Sequence, residues 1–241
     1  MSKREELRTK RRQQQQRQRI IMIIGVAVLV IVAAVIIIIT TNNNASSVPV
    51  APVTPVAANP RPQANGLSMG DPNAPVKVVE YADFQCPGCK KFFEDNESTI
   101  VSNYVVTGKV YYTYLPFSFI DEFPGAKGNE SKHAAEAAYC ANEQNKFWEY
   151  HDILFTNQGA ENSGSFSDRR LTAFATSIGL DLAKFDTCYK SHKYQQRVLD
   201  DESASNQAGI SETPSFIVNG VLTPSDKLVE TIDADLKAAG K

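Results

Sequence analysis

The stretch that decides the fold is VKVVEYADFQCPGC, residues 76–89. Its first nine residues, 76–84, are rich in Val, Tyr and Phe and are typical of a β-strand. This strand ends at CPGC, residues 86–89, and the residues that follow, 90–96, have a helical pattern. The sequence therefore predicts two cysteines, separated by two residues, at a strand-to-helix turn.

This position favours a reactive thiol at Cys86. The unpaired backbone N–H groups and the positive dipole end at the N-terminus of a helix stabilise a thiolate. Cys86 and Cys89 can form a disulfide within the first helical turn. A thiolate of another protein can attack one of the two sulfurs, pass through a mixed disulfide and leave with the bond. The pattern thus indicates thiol–disulfide exchange.

Zinc binding is the alternative interpretation of a Cys-x-x-Cys pair. A zinc site normally needs a second close pair of ligands. The other two cysteines, Cys140 and Cys188, are far from Cys89 and from each other in sequence, and the three histidines show no ligand spacing to them. We therefore predict no metal site and no cofactor.

The rest of the domain combines strands and helices. A second strand is predicted at 110–115, helices fill about 129–206, and 216–222 form a hairpin around an Asn-Gly turn. Ser225 is expected to cap a last helix that has apolar residues along one face. The predicted order is βαβ, a block of helices and then ββα, which is an α/β fold.

The N-terminal part of the chain is basic, and the remainder is acidic. Residues 1–19 hold eight Lys or Arg against two Glu, whereas the whole chain has a net charge of −2. A chain divided in this way does not bind nucleic acid along its length. Positive residues beside an apolar segment favour the cytoplasmic side of a membrane. We therefore predict that residues 1–19 form a cytoplasmic basic tip.

Residues 20–40 are predicted to form a single transmembrane anchor. From 20 to 39 the chain has no charge and consists almost entirely of Ile, Val, Ala and Leu. Such a helix, at ~1.5 Å per residue, spans the roughly 30 Å of a bilayer core. A cleaved signal peptide is the alternative, but no convincing small-x-small cleavage site follows the apolar run.

Residues 41–66 are predicted to be a linker. They contain five prolines among Ala, Val, Asn and Thr, with almost no charge. This composition favours an extended spacer without a core of its own. The linker would separate the anchor from one domain at 67–241.

Three motifs resemble those of the DsbA-like thiol:disulfide oxidoreductases. They are GDPNAPV followed by EYADFQCPGC (70–89), NKFWEYHDILF (145–155) and TPSFIVNG (213–220). The motifs occur in the family's order and span about residues 68–240. The resemblance implies a thioredoxin-like fold with an inserted all-helical subdomain at about 129–206.

The resemblance also implies roles for three further residues. Thr213 and a cis Pro214 would lie beside Cys86, where an extended substrate can pair with the backbone. Glu80 matches the acidic residue that assists proton transfer near the disulfide, and burial would raise the pKa of Glu80 and suit it to that role. The alternative for Glu80 is a surface ion pair at the strand end.

Cys140 and Cys188 are predicted to form a structural disulfide. Cysteines of an exported domain seldom stay free, and both lie on predicted helices of the inserted block. Two buried, inert thiols are one alternative. A relay of electrons with Cys86 and Cys89 is another.

The sequence thus predicts a membrane-anchored, extracytoplasmic thiol:disulfide oxidoreductase. It would exchange disulfides with exported proteins through Cys86 and Cys89, acting as an oxidase that a membrane redox partner recycles. The dipeptide Pro87-Gly88 lacks the His of the best-known family members, which leaves open a reductase or isomerase fed by a membrane electron donor. A tethered binding or chaperone module with a redox-inert disulfide is the third hypothesis.

Overall fold

The computed structural model describes residues 22, 24–34, 51–56, 59–124, 126 and 128–241. The chain forms two compact units, Met1–Pro49 and Val50–Lys241.

In the first unit, the described residues 22 and 24–34 are helical and exposed. Within the described part of the chain, no helix has both the length and the apolar character needed to cross a bilayer. The remainder of the predicted anchor at 20–40 and the whole basic tip at 1–19 lie outside the described residues.

The second unit contains a five-stranded mixed sheet. In the order β1-β3-β2-β4-β5, strands β2 and β3 are parallel and the other neighbours are antiparallel. The strands are β1 (Ser68–Met69), β2 (Val76–Ala82), β3 (Val110–Pro116), β4 (Ser215–Val218) and β5 (Val221–Thr223). The predicted first strand, second strand and hairpin are confirmed, whereas β1 is too short to leave a sequence pattern.

The first helix, α1 (Pro87–Phe92), begins directly after Cys86. It continues without a break through π-helical and α-helical turns as far as Val105. Among the described residues, five further α-helices lie between β3 and β4, in the region of the predicted insertion, and one follows β5. They are α2 (Glu130–Asn142), α3 (Phe147–Thr156), α4 (Asp168–Ser177), α5 (Leu182–Lys190), α6 (Gln195–Gln207) and α7 (Leu228–Ala238).

The start of α7 differs from the prediction. Ser225 does not cap the helix; Ser225–Lys227 forms a 3₁₀ turn, and α7 begins at Leu228 without a side-chain cap. Pro224 holds an extended conformation just before this turn, and a 3₁₀ turn is a common way to enter an α-helix.

Part of the predicted linker is attached to the domain. Within 41–66 the structure describes residues 51–56 and 59–66, which we call the strap. The N–H of Thr54 donates to Asn157 Oδ1 at 2.7 Å, and the Thr54 carbonyl accepts from Asn157 Nδ2 at 2.9 Å. The strap is therefore held at both backbone groups of one residue.

Two apolar strap residues, Val53 and Val56, also pack against the core, and the side chain of Arg61 is buried. The domain therefore begins before residue 67, contrary to the predicted boundary. Composition did not reveal this because a proline-rich segment that cannot fold alone can still dock in an extended form on a surface made by other elements.

A disulfide joins two helices of the insertion. The sulfurs of Cys140 on α2 and Cys188 on α5 are 2.03 Å apart, and the two residues are separated by 48 positions in sequence. Neither cysteine is exposed. The bond closes a long loop that contains α3 and α4.

Replacing both Cys140 and Cys188 by Ala should lower the free energy of unfolding by about 4 kcal/mol, because the unfolded chain regains the entropy of the closed loop. Urea unfolding of the full chain, followed by the fluorescence of Trp148, measures this change. Wild-type protein in which only Cys86 and Cys89 are reduced is the control. An unchanged unfolding midpoint would contradict the loop-closure argument.

Candidate active site

Cys86 lies between the end of β2 and the first turn of α1. Its N–H donates to the Asp83 carbonyl at 3.0 Å, and its own carbonyl accepts from the N–H of Lys90 at 3.1 Å. Pro87 suits the first helical position, since no N–H is needed there and its φ is already helical. The Cys86 side chain therefore lies at the N-terminus of α1.

The two thiols of this turn, which are not bonded to each other in the structure, differ in burial and in proton affinity. Cys86 is 8% exposed and Cys89 is 0% exposed. A hydrogen bond from Cys89, helped by the N–H groups of Gly88 and Cys89, outweighs burial and lowers the pKa of Cys86 to about 6. Burial raises the pKa of Cys89 well above its ordinary value. At neutral pH, Cys86 is thus the thiolate and Cys89 the thiol.

The Thr213–Pro214 peptide is cis and lies against Cys86. The Cys86 sulfur is 3.3 Å from the Thr213 carbonyl oxygen. A β-carbon at Gly88 would be 3.4 Å from Pro214 Cδ and 3.6 Å from the Cys86 sulfur. Gly88 therefore leaves room between the turn and the proline, and the structure brings Cys86, Thr213 and Pro214 together.

Glu80 lies in the interior, not at the surface, and is 2% exposed. The hydroxyl of Tyr112 on β3 donates to Glu80 Oε2 at 2.5 Å. Burial, reinforced by the negative charge of Glu97, raises the pKa of Glu80 to about 8. The charge of Glu80 in turn contributes to the raised pKa of Cys89. Glu80 and Cys89 are therefore coupled electrostatically.

Two glutamines attach the CPGC turn to the helical insertion. Gln158, which follows α3, donates through Nε2 to the carbonyls of Phe84 at 2.6 Å and Cys86 at 3.0 Å. Gln85 donates to the hydroxyl of Ser131 on α2 at 2.9 Å. The position of the thiolate therefore depends on the insertion as well as on the sheet.

Asp83 is a second buried carboxyl group beside the turn, at 1% exposure. It accepts hydrogen bonds from the N–H of Gln85 at 2.8 Å, the hydroxyl of Ser131 at 2.7 Å and the N–H of Ile120 at 3.0 Å. Burial outweighs these bonds and raises the pKa of Asp83 to about 7.

No sequence pattern pointed to Asp83, Gln85 or Gln158 as residues of the site. Asp83 accepts a hydrogen bond from the N–H of Gln85, two residues later, which is the pattern of an Asx turn. This pattern could have revealed Asp83. Gln158 left no local signal, because the Cys86 carbonyl that it binds is 72 positions away.

A buried ionic cluster joins the strap to two helices. The guanidinium of Arg61 pairs with Glu97, on the continuation of α1, and with Asp152 on α3. His151 Nδ1 lies 2.8 Å from Asp152 Oδ1. Glu97, His151 and Asp152 present their ligand atoms close enough together to hold a cation. The guanidinium of Arg61 supplies positive charge at this point.

The part of the chain that carries this site is similar to known proteins. A family model described as thioredoxin matches residues 63–238. The chain is 28% identical over 174 residues to the probable disulfide bond formation protein D of Bacillus anthracis, which covers 70% of this chain and 78% of that protein.

A second relative is much longer than this chain. The Na(+)/H(+) antiporter NhaA 3 of Salinispora tropica is 32% identical over 170 residues, which are 70% of this chain and 24% of the antiporter. The chain thus spans about a quarter of the length of this relative. The oxidised crystal structure of BdbD from Bacillus subtilis aligns with a TM-score of 0.62 at 23% identity, covering 76% of this chain and 100% of that one. This likeness shows that the two share the thioredoxin-like fold.

Alkylation of the reduced full chain should separate the two thiols. Because the pKa of Cys86 is lowered to about 6, its alkylation rate should rise with pH through that value and then level off. Cys89 should stay unlabelled in the same short pulse, since it is buried and protonated. Peptide mapping by mass spectrometry after an iodoacetamide pulse measures both rates.

Two variants test the cause of this difference. Cys89→Ala removes the hydrogen bond to Cys86 and should move the pH profile of Cys86 alkylation to higher pH. Cys89→Ser keeps a hydrogen-bond donor and should move this profile less. Labelling of Cys89 before Cys86 in the wild-type protein would refute the assignment of the thiolate.

Proposed function

The chain belongs to the thioredoxin family, and from this premise we propose that it is a protein thiol:disulfide oxidoreductase acting through Cys86 and Cys89. The observation that carries the proposal is the position of Cys86 at the start of α1, beside the Thr213 carbonyl, with the fully buried Cys89 in the same turn. This arrangement lowers the pKa of Cys86 and raises that of Cys89. Exchange proceeds well when one sulfur is stable as a thiolate and its partner is held beside it as a thiol. The name of the Bacillus anthracis relative, disulfide bond formation protein D, points to the same chemistry.

The first half of the reaction opens the disulfide of the oxidised protein. A substrate thiolate attacks the Cys86 sulfur, a mixed disulfide forms, and the bond between Cys86 and Cys89 breaks. Cys89 leaves with the electron pair into a buried environment, where its high pKa means that it takes up a proton. Glu80, still protonated near neutral pH because its pKa is about 8, is the proposed donor of this proton.

The second half releases the product. A second thiolate of the substrate attacks the substrate sulfur of the mixed disulfide, and Cys86 leaves as the thiolate that its low pKa favours. The substrate has then lost two electrons to the Cys86–Cys89 pair. Each turnover leaves two reduced cysteines, so a partner must accept those electrons before the next turnover.

Thr213 and Pro214 form the proposed substrate-binding edge. The Thr213 carbonyl oxygen lies 3.3 Å from the Cys86 sulfur, which puts a backbone acceptor beside the reacting atom. An extended substrate segment that pairs with this edge would bring its cysteine to Cys86. Recognition through backbone groups suits an enzyme whose substrates share a cysteine and no common sequence.

The proposed direction is oxidation of the substrate. A low pKa at Cys86 stabilises the reduced form of the pair, and this makes the oxidised form a better oxidant. Reduction or isomerisation, driven by a membrane electron donor, is the second candidate because Pro87-Gly88 provides no side-chain donor to the thiolate. The reduction potential of the pair relative to that of glutathione distinguishes the two directions.

The proposed location is the outer face of the cell membrane. The apolar run at 20–40 would anchor the chain, with residues 1–19 in the cytoplasm and the domain outside. The Cys140–Cys188 disulfide supports this location, since such bonds persist in oxidising compartments. The proposed substrates are therefore exported proteins that contain cysteines, and the proposed recycling partner is a membrane protein.

Trapping of mixed disulfides tests the proposal. In a Cys89→Ala variant of the full chain, the Cys86 thiolate can attack the disulfide of an added disulfide-bonded protein, with one substrate sulfur leaving as a thiolate. The internal thiol that could release the substrate from Cys86 is gone, so mixed disulfides should accumulate on Cys86. They should appear as slower bands on non-reducing gels and disappear with dithiothreitol. The variant that carries both Cys86→Ala and Cys89→Ala is the control and should form none. A folded Cys89→Ala protein without adducts would contradict the proposed function.

A further inference from the structure

Arg61 reaches the core from outside the region that matches the family, which begins at residue 63. Its side chain is 10% exposed, and its guanidinium pairs with Glu97 and Asp152. The Arg61 Cζ atom also lies 4.6 Å from the centre of the Trp148 ring. A charged side chain in this position needs its partners, because an unpaired buried charge is strongly destabilising.

Contacts lead from Arg61 to Glu80. The ring of Trp148, which Arg61 covers, has its centre 6.5 Å from that of Tyr112. The hydroxyl of Tyr112 donates to Glu80. Glu97, the ion-pair partner of Arg61, raises the pKa of Glu80, and Arg61 lowers it. The ionic cluster thus acts on the carboxyl group that the proposed reaction uses.

The titratable groups around Glu80 and its neighbours come from several elements. The strap contributes a guanidinium that stays charged over the accessible pH range. The other groups are thiol, phenol, carboxyl and imidazole side chains of α1 and its continuation, β3 and α3, namely Cys89, Glu97, Tyr112, Tyr114, His151 and Asp152.

We infer that Arg61 is a positioning residue for proton transfer between Glu80 and Cys89. It keeps Glu97 and Asp152 paired and, together with Glu97, sets the pH range over which Glu80 gives up and takes back its proton. The inference rests on the proposed function, in which Glu80 protonates Cys89 as it leaves. The strap is then part of the catalytic domain as well as a connection to the N-terminal unit.

The balance between Glu97 and Arg61 matters because Glu80 has to work in both directions. If the pKa of Glu80 is too high, the carboxyl group is already protonated and cannot accept the proton of Cys89 when the pair is reoxidised. If the pKa of Glu80 is too low, the carboxyl group is ionised and has no proton to give when Cys89 leaves. Removing Arg61 alone would not isolate its effect on Glu80, since the same change takes the guanidinium partner from both Glu97 and Asp152.

The test therefore starts by neutralising Glu97. The infrared absorption of protonated carboxyl groups is measured against pH in the reduced full chain. The band that disappears in Glu80→Gln is assigned to Glu80. In Glu97→Gln, Arg61 remains paired with Asp152, and the midpoint of the Glu80 band should fall by about one pH unit. Adding Arg61→Gln should raise it again by about one pH unit, whereas adding Arg61→Lys should leave it near the Glu97→Gln value.

Should the double variant be unstable, a triple variant that also carries Asp152→Asn removes the carboxylate that has lost its guanidinium partner, and the same direction is expected. The inference is overturned if the Glu80 midpoint is the same in Glu97→Gln, in Glu97→Gln with Arg61→Lys and in Glu97→Gln with Arg61→Gln. That outcome would not bear on the proposed disulfide exchange at Cys86. Failure of the proposed function would look different: the Glu80 midpoint would move as expected, but Cys89→Ala would trap no mixed disulfide.

Discussion

The structure depends on one constraint: the thiol of Cys89 and the carboxyl group of Glu80 are both kept out of water, while Cys86 is held as a thiolate. At the surface end, the start of α1 and the hydrogen bond from Cys89 make the charged form of Cys86 stable. In the interior, burial makes the charged forms of Cys89 and Glu80 costly. Attack on Cys86 therefore releases Cys89 as an anion that is costly in the interior, whereas Cys86 leaves as a stable thiolate only when the product is released. The proposed source of the proton for Cys89 is Glu80.

The other parts of the domain maintain this arrangement. The sheet places Glu80 on β2 and the Thr213–Pro214 peptide just before the neighbouring strand β4, where the Thr213 carbonyl reaches Cys86. The helical insertion also holds the turn, through hydrogen bonds that Gln158 donates to it and that Ser131 accepts from Gln85. Because two separate parts of the chain fix the same turn, a change in the insertion far from the sulfurs can alter the pKa of Cys86.

Features with local signals were predictable from the sequence. The strand before CPGC, the helix after it and the hairpin around Asn219-Gly220 each occupy a few consecutive residues with a characteristic pattern, and the structure has all three. The burial of Glu80 follows from its place in the middle of an apolar strand. The thioredoxin-like fold with a helical insertion was implied by the family resemblance of the three motifs.

Features that depend on distant partners were not predictable. Arg61 is 36 and 91 positions away from Glu97 and Asp152, and Gln158 is 72 positions away from Cys86. A single arginine in a proline-rich segment looks like part of a solvated linker until the pocket that receives it is known. Ser225 shows the opposite error, since a residue type that often caps an α-helix here begins a 3₁₀ turn.

The pH dependence of the reduction potential of Cys86–Cys89 tests the central claim most directly. Reduction should take up two protons below the pKa of Cys86, about 6, and one proton above it, where Cys86 stays a thiolate. The potential of the full chain, measured by equilibration with glutathione, should fall by roughly 60 mV per pH unit below that point and by about 30 mV above it. A single slope of about 60 mV that continues through neutral pH would mean that both thiols stay protonated, and it would contradict the account.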